Sequence, residues 1–232
     1  IIPTLSAGGA SRSAIAIAKY SSAYGNFNHD IISLTQADKN AVRLAEESGI
    51  SFLGTLSSGE ILNKVAQYDI IHLHFWNAPN VYSFLHSDLP PCRLITWFHV
   101  SGDGAPQIIT RKLLEFSDIV VPCNPYSYEL ETIKKYRSKY KDRCYMVYDA
   151  ADFARLSGFK RRKTPSFNVG YIGTVDFVKM HPNYISMSHK ITINNVQFIV
   201  CGVGSALQTL QAQVSRVHAT DKFKLCGHVE DI

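Results

Sequence analysis

The stretch Asp69-Ile70-Ile71-His72-Leu73-His74-Phe75-Trp76-Asn77 decides how the chain is read. Ile70 to Phe75 has the apolar character of a strand and runs straight into a polar turn. Outward from it, Arg93 to His99 and Ile119 to Cys123 read as strands of the same kind. A helix is expected between these two, over roughly Gln107 to Phe116. Another is expected from Ser127 to about Tyr140, ahead of a short strand Cys144 to Tyr148. Upstream, Ile1 to Thr4 reads as a strand end and Ser6 to Ser11 as a loop. A helix with Ala10, Ala14, Ile17 and Ala18 on one face follows, ending near Gly25. Asp30 to Thr35 is a strand, Asp38 caps a helix closing at Gly49, and Ser57 with Glu60 makes a capping box for a helix reaching Tyr68. Apolar strands alternating with helices predict a parallel sheet covered on both faces. Such sheets bind ligands beyond the carboxyl ends of their strands.

Residues 154–167 break the alternation with Gly158, the basic run Lys160-Arg161-Arg162-Lys163, Pro165 and Ser166, and read as a linker. The pattern then resumes: strand Asn168 to Ile172, helix near Tyr184 to His189, strand Val196 to Cys201, helix Ser205 to Val217, strand Phe223 to Cys226. The expected organisation is a first α/β domain over 1–153, a linker over 154–167 and part of a second α/β domain over 168–232.

Composition narrows the class. With 232 residues, 46% hydrophobic and 19% charged, the chain can bury a sizeable core, and its glycine and proline content argues against a disordered or fibrous protein. Apolar runs such as Ile119 to Val121 fall far short of the ~20 residues of a membrane span. No basic segment leads into an apolar signal region. The chain opens on Ile1 and stops at Ile232, and both ends are expected to be cut. The cysteines Cys92, Cys123, Cys144, Cys201 and Cys226 are odd in number and scattered, which fits reduced core thiols in a cytoplasmic protein. The net charge of +5 arises wholly in residues 158–232, which suits an anionic ligand such as a nucleotide diphosphate.

Several residues offer chemistry. Gly8 and Gly9 lie between the first strand and helix, where backbone N–H groups can approach a phosphate or sugar; the same pair fits an ordinary strand–helix turn. The loop is neither Gly-x-Gly-x-x-Gly nor a P-loop. His72 and His74 share one strand face, without an identifiable third ligand for a metal. His74, with Trp76 and Asn77 just beyond it, is a candidate for a cleft or acceptor site. His99 ends its strand before a Gly-rich loop and is either a ligand contact or a structural histidine. Gly173, Thr174 and Lys179 follow one strand of the second domain, and Gly202 and Gly204 follow another. A lysine there is a point charge for phosphate. The stretch 134–143 carries six basic residues with Tyr136 and Tyr140 interleaved, fitting either an anionic membrane surface or a solvated helix face. No nucleic-acid motif is visible.

Taken in order, these pieces resemble the retaining glycosyltransferases of family 4. The resemblance rests on the Gly8-Gly9 loop, Asp69 to His74, His99 after Thr96, Ser117 to Pro122 and Val147 to Phe153. It continues through Val169 to Gly173 with Lys179, Phe198 to Gly204, and Leu225 to Val229. It implies the GT-B architecture: two Rossmann-like parallel-sheet domains facing a cleft, here with the second incomplete. It also implies transfer of a sugar, with retention and without a metal or other cofactor, from a nucleotide-sugar donor to a glycan or lipid-linked acceptor. Cell-surface polysaccharide synthesis and a cytoplasmic location, peripheral at the inner membrane face through 134–143, follow as expectations. By position, His99 contacts the transferred sugar as the catalytic residue. Gly8, Gly9, Gly173, Thr174, Lys179, Gly202 and Gly204 serve the donor and its diphosphate.

The chain departs from the family pattern in two places. Thr174 stands where the family usually has Arg, and Asp149-Ala150-Ala151 replaces the usual Asn-Gly before Asp152. The paired donor-binding glutamates of the family lie beyond Ile232, so the chain as it stands is expected not to turn over. A non-catalytic nucleotide- or sugar-binding paralogue and a sugar-nucleotide 2-epimerase of the same fold are the alternatives.

Overall fold

The computed structural model describes residues 1–160 and 163–229 and divides into two compact units, Ile1–Ser157 and Gly158–Ile232. Arg161 and Arg162, half of the basic run, lie outside the described residues, as do residues 230–232.

The first unit alternates as its sequence pattern requires: α1 (Gly9–Gly25), β1 (Asp30–Ile32), α2 (Lys39–Glu47), β2 (Ser51–Gly54), α3 (Ser58–Val65), β3 (Ile70–Phe75), α4 (Pro79–Leu85), β4 (Arg93–Phe98), α5 (Arg111–Phe116), β5 (Ile119–Pro122), α6 (Pro125–Tyr128) and α7 (Glu131–Lys139). The Asp38 carboxylate accepts from the N–H groups of Asn40 and Ala41 at 2.9 and 3.0 Å and starts α2. The Ser57–Glu60 capping box starts α3.

β3, β4 and β5 form one parallel sheet in that order, and β1 pairs β2 in parallel. Side-chain alternation sends Leu73, Phe75, Phe98 and Val120 into a core with Ile61, Val65, Leu113, Leu114 and Ile133 of the helices on one face. On the opposite face Trp97, Val121 and Cys123 pack with Ile17 of α1. The central sheet is therefore covered on both sides, as its apolar strands predict.

Four expectations in this unit need correction. Ile1 to Thr4 contributes one bridge, Ile2 to Ser33, rather than a strand end. The helix expected from Ser127 to Tyr140 breaks into α6 and α7, because Leu130 is extended (φ −57°, ψ 139°). Asn124 caps the short first piece, and the buried Ser127 hydroxyl ties it to the Val100 carbonyl at 3.0 Å. The helix expected from Gln107 starts only at Arg111, where Thr110 caps it; Ile109 is held in the loop by its bond to the Gly102 carbonyl at 2.9 Å. Cys144 to Tyr148 runs beside β5 through Tyr145 N–H to Val120 and Val147 N–H to Pro122, but forms a bridge and not a strand. Pro122 has no N–H to return, so the ladder cannot extend. The sequence pattern does not announce β2 or α4.

In the second unit β6 (Phe167–Ile172), α8 (Tyr184–His189), β7 (Val196–Cys201), α9 (Leu207–Arg216) and β8 (Phe223–Gly227) follow each other, and the three strands pair in parallel in chain order. Val196, Phe198, Val200 and Phe223 pack with Ile185 of α8 and Leu210 and Val214 of α9. β6 already begins at Phe167, the last residue of the expected linker, and Phe153–Leu156 forms a turn of 3-10 helix. All five cysteines are free. Among the described residues no helix is long and apolar enough to cross a membrane.

Candidate active-site groups at the strand ends

The first unit gathers its polar aromatic residues at the carboxyl ends of β3 and β4. Period-two alternation puts His72 and His74 of β3 on the face that carries Trp97 of β4 and, one step beyond that strand, His99. The rings stack: His72 on His74 at 4.3 Å between centroids, His72 on Trp97 at 5.4 Å, His74 on His99 at 5.1 Å and Trp97 on His99 at 6.0 Å. Burial pushes the His72 imidazole down to about 3 and holds His74 well below its ordinary value. In the unfolded chain these groups titrate near ~6.5, so on acidification the unfolded state binds protons that the folded unit refuses. The first unit should therefore lose stability progressively as pH falls below about 6.5. Urea midpoints measured from about pH 8 to pH 5 check this, and a flat profile would refute it.

His99 is fastened three ways. Its backbone N–H donates to the Phe75 carbonyl at 2.9 Å. Its Nε2 lies 2.9 Å from His74 Nδ1, and its Nδ1 lies 2.8 Å from Asp149 Oδ1. The His99 side chain is 3% exposed while that of Asp149 is 47% exposed. Both ring nitrogens are thus occupied, and direct contact of this ring with a sugar would need one of the two bonds to open.

Asp149 is delivered by the segment after α7, which runs beside β5. That segment is pinned to α1: Ala150 N–H donates to Ser13 Oγ at 3.0 Å, and the Asp152 carboxylate accepts from Lys19 Nζ and Tyr20 Oη, each at 2.7 Å. The hydrogen bond from Lys19, then that from Tyr20, hold Asp152 below the usual carboxylate range. In the sequence Asp149 stands out only as a departure from the family pattern. Its partner is 50 positions away, and no local signal joins the two.

The other candidates of this unit separate. Trp76 is half-buried between two apolar clusters and belongs to the core. Asn77 is engaged on both sides: its N–H donates to Gln107 Oε1 at 2.7 Å, and its side-chain amide donates to the Pro106 carbonyl. Gln107, which the sequence does not mark, thereby ties the loop after β3 to the loop after β4. Gly8 caps α1 at an ordinary φ of −72°. A Cβ built on Gly9 meets nothing within 4 Å, and one on Gly8 comes no closer than 3.4 Å, to Ser6 Oγ. Neither residue has to be glycine for this fold, and the loop is open. Arg12 Nε donates to the Ala7 carbonyl at 3.2 Å and sets a guanidinium beside it.

In the second unit the glycines divide by role. A Cβ on Gly202 would sit 1.8 Å from the Gly173 carbonyl oxygen, and one on Gly204 would sit 2.3 Å from that of Val175. These two glycines let the loops after β6 and β7 touch backbone to backbone. Gly202 N–H donates to Gly227 at 2.7 Å, Val175 N–H to Val203 at 3.0 Å and Ala206 N–H to Val175 at 3.0 Å. Asp176 completes the joint, accepting from Val178 N–H at 2.7 Å and Ser205 Oγ at 2.9 Å. The Val178 bond first, then Ser205, keep its carboxyl below the ordinary range. Gly173 and Thr174 are exposed on the rim of this joint. Lys179 is exposed too and makes no ion pair among the described residues.

The basic stretch 134–143 is partly neutralised by acids just before it. Glu129 pairs with Lys134 at 3.2 Å and Arg137 at 2.8 Å, and Glu131 pairs with Lys135 at 3.4 Å. Tyr136 is buried in the core and is not offered to a surface. A membrane reading of this stretch therefore rests on Lys139, Lys141 and Arg143. Among the described residues no three His, Cys, Asp or Glu side chains cluster so as to hold a metal ion.

No protein-family model matches the chain, and no curated protein matches it in sequence. Solved structures do match in fold, and these neighbours are GT-B glycosyltransferases. HepE of Anabaena in complex with UDP-glucose aligns with TM-score 0.67 and 15% identity, over 99% of this chain and 69% of its own. The lipopolysaccharide outer core galactosyltransferase WaaB, in its apo form, aligns with TM-score 0.56 and 14% identity, over 99% of this chain and 68% of its own. TarM of S. aureus, solved as a point mutant in complex with Fondaparinux, alpha-GlcNAc-glycerol and UDP, aligns with TM-score 0.56 and 11% identity, over 72% of this chain and 36% of its own. At these identities the likeness establishes the fold, an α/β architecture of GT-B type built on parallel sheets.

Proposed function

We propose that the chain belongs to a glycosyltransferase that moves a sugar from a nucleotide-sugar to an acceptor. The observation that carries the reading is the likeness to HepE over 99% of this chain, since HepE was solved with UDP-glucose. In this reading Lys179 and the exposed Gly173-Thr174 loop meet the diphosphate from the second unit. The open Gly8-Gly9 loop offers the first-turn N–H groups of α1 to the donor. Gly202 and Gly204 serve by shaping the loop that Gly173 belongs to. The Asp149–His99–His74 group stands at the reacting end of the first unit. The chemistry asked of these residues is neutralisation of a leaving diphosphate that gains negative charge. Retention of configuration, independence of metal, a glycan or lipid-linked acceptor and a cytoplasmic location remain part of the proposal.

Thr174 in place of arginine favours a second reading, a non-catalytic nucleotide-sugar-binding paralogue. Calorimetry on the full-length protein with UDP, GDP and ADP, together with a donor-hydrolysis assay, separates the two. Binding with turnover supports the transferase, binding without turnover supports the paralogue, and no binding sinks both. Lys179→Ala should weaken binding of the favoured nucleoside diphosphate about 10- to 100-fold, the worth of one charge-assisted hydrogen bond, while leaving the nucleoside unaffected. Equal losses for both would point to a folding defect instead.

A further inference from the structure

We propose that His74, His99 and Asp149 form one polarised hydrogen-bond chain, whose outer end, the Asp149 carboxylate, accepts a hydroxyl of the sugar substrate. His99 and His74 are then positioning residues. The substrate end of this inference rests on the glycosyltransferase reading; the polarity of the chain does not.

The polarity follows from donor and acceptor chemistry. A carboxylate accepts hydrogen bonds and cannot donate them. With Asp149 Oδ1 2.8 Å from His99 Nδ1, that nitrogen carries the proton. In the neutral imidazole, Nε2 of His99 is then the acceptor, and His74 Nδ1, 2.9 Å away, donates to it. Burial holds His74 well below its ordinary value and keeps that ring neutral, so it has one proton to commit. The backbone holds each member in place. His74 N–H donates to the Ile1 carbonyl at 2.9 Å, His99 N–H to the Phe75 carbonyl at 2.9 Å, and Ala150 N–H to Ser13 Oγ at 3.0 Å. The stacked rings of His72 and Trp97 close the flank.

Exposure assigns the roles. His74 is buried, and the His99 side chain is 3% exposed with both nitrogens engaged. Asp149 is 47% exposed, and its Oδ1 serves His99 while Oδ2 makes no hydrogen bond within the described residues. A sugar hydroxyl is a donor of the right kind for that oxygen. Preorganisation is the benefit: a carboxylate already oriented by an imidazole N–H loses little entropy when a hydroxyl docks.

Two measurements on the full-length protein test this. The first needs no ligand. Side-chain ¹H–¹⁵N correlation spectra, with His99 assigned by comparison with His99→Gln, should show His99 as the Nδ1–H tautomer. Asp149→Ala should shift it toward the Nε2–H tautomer, and Asp149→Asn, which retains an accepting oxygen, should restore the wild-type pattern. An Nε2–H tautomer in the wild type, or a spectrum indifferent to Asp149→Ala, overturns the chain. The second compares UDP with UDP-glucose by calorimetry. Asp149→Ala should weaken UDP-glucose about 10- to 100-fold and leave UDP unchanged, the size expected for one hydrogen bond to a charged group. Equal affinity of wild type and variant for UDP-glucose overturns the substrate-facing role. A wild type that binds neither UDP nor UDP-glucose overturns the substrate-facing role, one that binds none of UDP, GDP and ADP overturns the functional reading with it, and the tautomer spectra still read the chain on their own.

Discussion

Gly202→Ala is expected to destabilise the second unit by about 2–5 kcal/mol, combining overpacking with the cost of a side chain at positive φ. The new Cβ would stand 1.8 Å from the Gly173 carbonyl oxygen, and φ at Gly202 is +146°, where a side chain is rarely tolerated. No rotamer relieves this, because a Cβ has no torsion of its own. The backbone must move, and the Gly202 N–H bond to Gly227 and the Gly173 N–H bond to Cys201 would stretch with it. Chemical denaturation followed by amide exchange at β6 and β7 reads the effect. An unshifted midpoint with native exchange at Gly173 would show that the two loops do not touch as described. Gly9→Ala is the matched control, since its Cβ meets nothing within 4 Å. It should leave stability within about 0.5 kcal/mol of wild type. Any loss of nucleotide affinity in Gly9→Ala then belongs to the ligand and not to the fold.

On the transferase reading, His99→Ala in the full-length protein should lower turnover by about 100- to 1,000-fold, because it removes the group that orients Asp149 toward the substrate. Affinity for the nucleoside diphosphate should change by less than about threefold, because both ring nitrogens of His99 are already engaged, by His74 and Asp149. The variant removes the partner of both His74 Nδ1 and Asp149 Oδ1. Its thermal midpoint has to be compared with that of His99→Gln, which can keep one of the two bonds. Turnover equal to wild type in a folded His99→Ala protein would remove the histidine from the mechanism. Turnover lost together with nucleotide binding would mark it as a structural residue of the core.

These two positions also show where local reading stops. The sequence places Gly202 at a strand–turn–helix junction, which the structure contains, and only the family resemblance implies a donor role for it. Its contact is the carbonyl of Gly173 on the neighbouring loop, and nothing in the sequence pairs these two glycines. His99 is marked by its place at a strand end before glycines. The carboxylate that occupies its Nδ1 arrives from the segment after α7 and reads in the sequence only as an oddity of a turn. The basic stretch 134–143 is a third instance. Counting its charges misses that Glu129 sits within reach of both Lys134 and Arg137, because α6 ends and α7 starts between them.

Local chemistry decides what lies within its reach. Strand alternation, the Asp38 cap, the Ser57–Glu60 box and the shared face of His72 and His74 all follow from periods and hydrogen bonds spanning a few residues. A parallel sheet is legible for the same reason. The break at Leu130, the contact of the two glycine loops, the engagement of Asn77 with Gln107, and the approach of Asp149 to His99 come only with tertiary structure. Parallel strands are joined by long crossovers, so their carboxyl ends bring together loops that are remote in the chain. Which loop lies beside which is set by strand order and by what α1 pins down, neither of which any window of sequence contains.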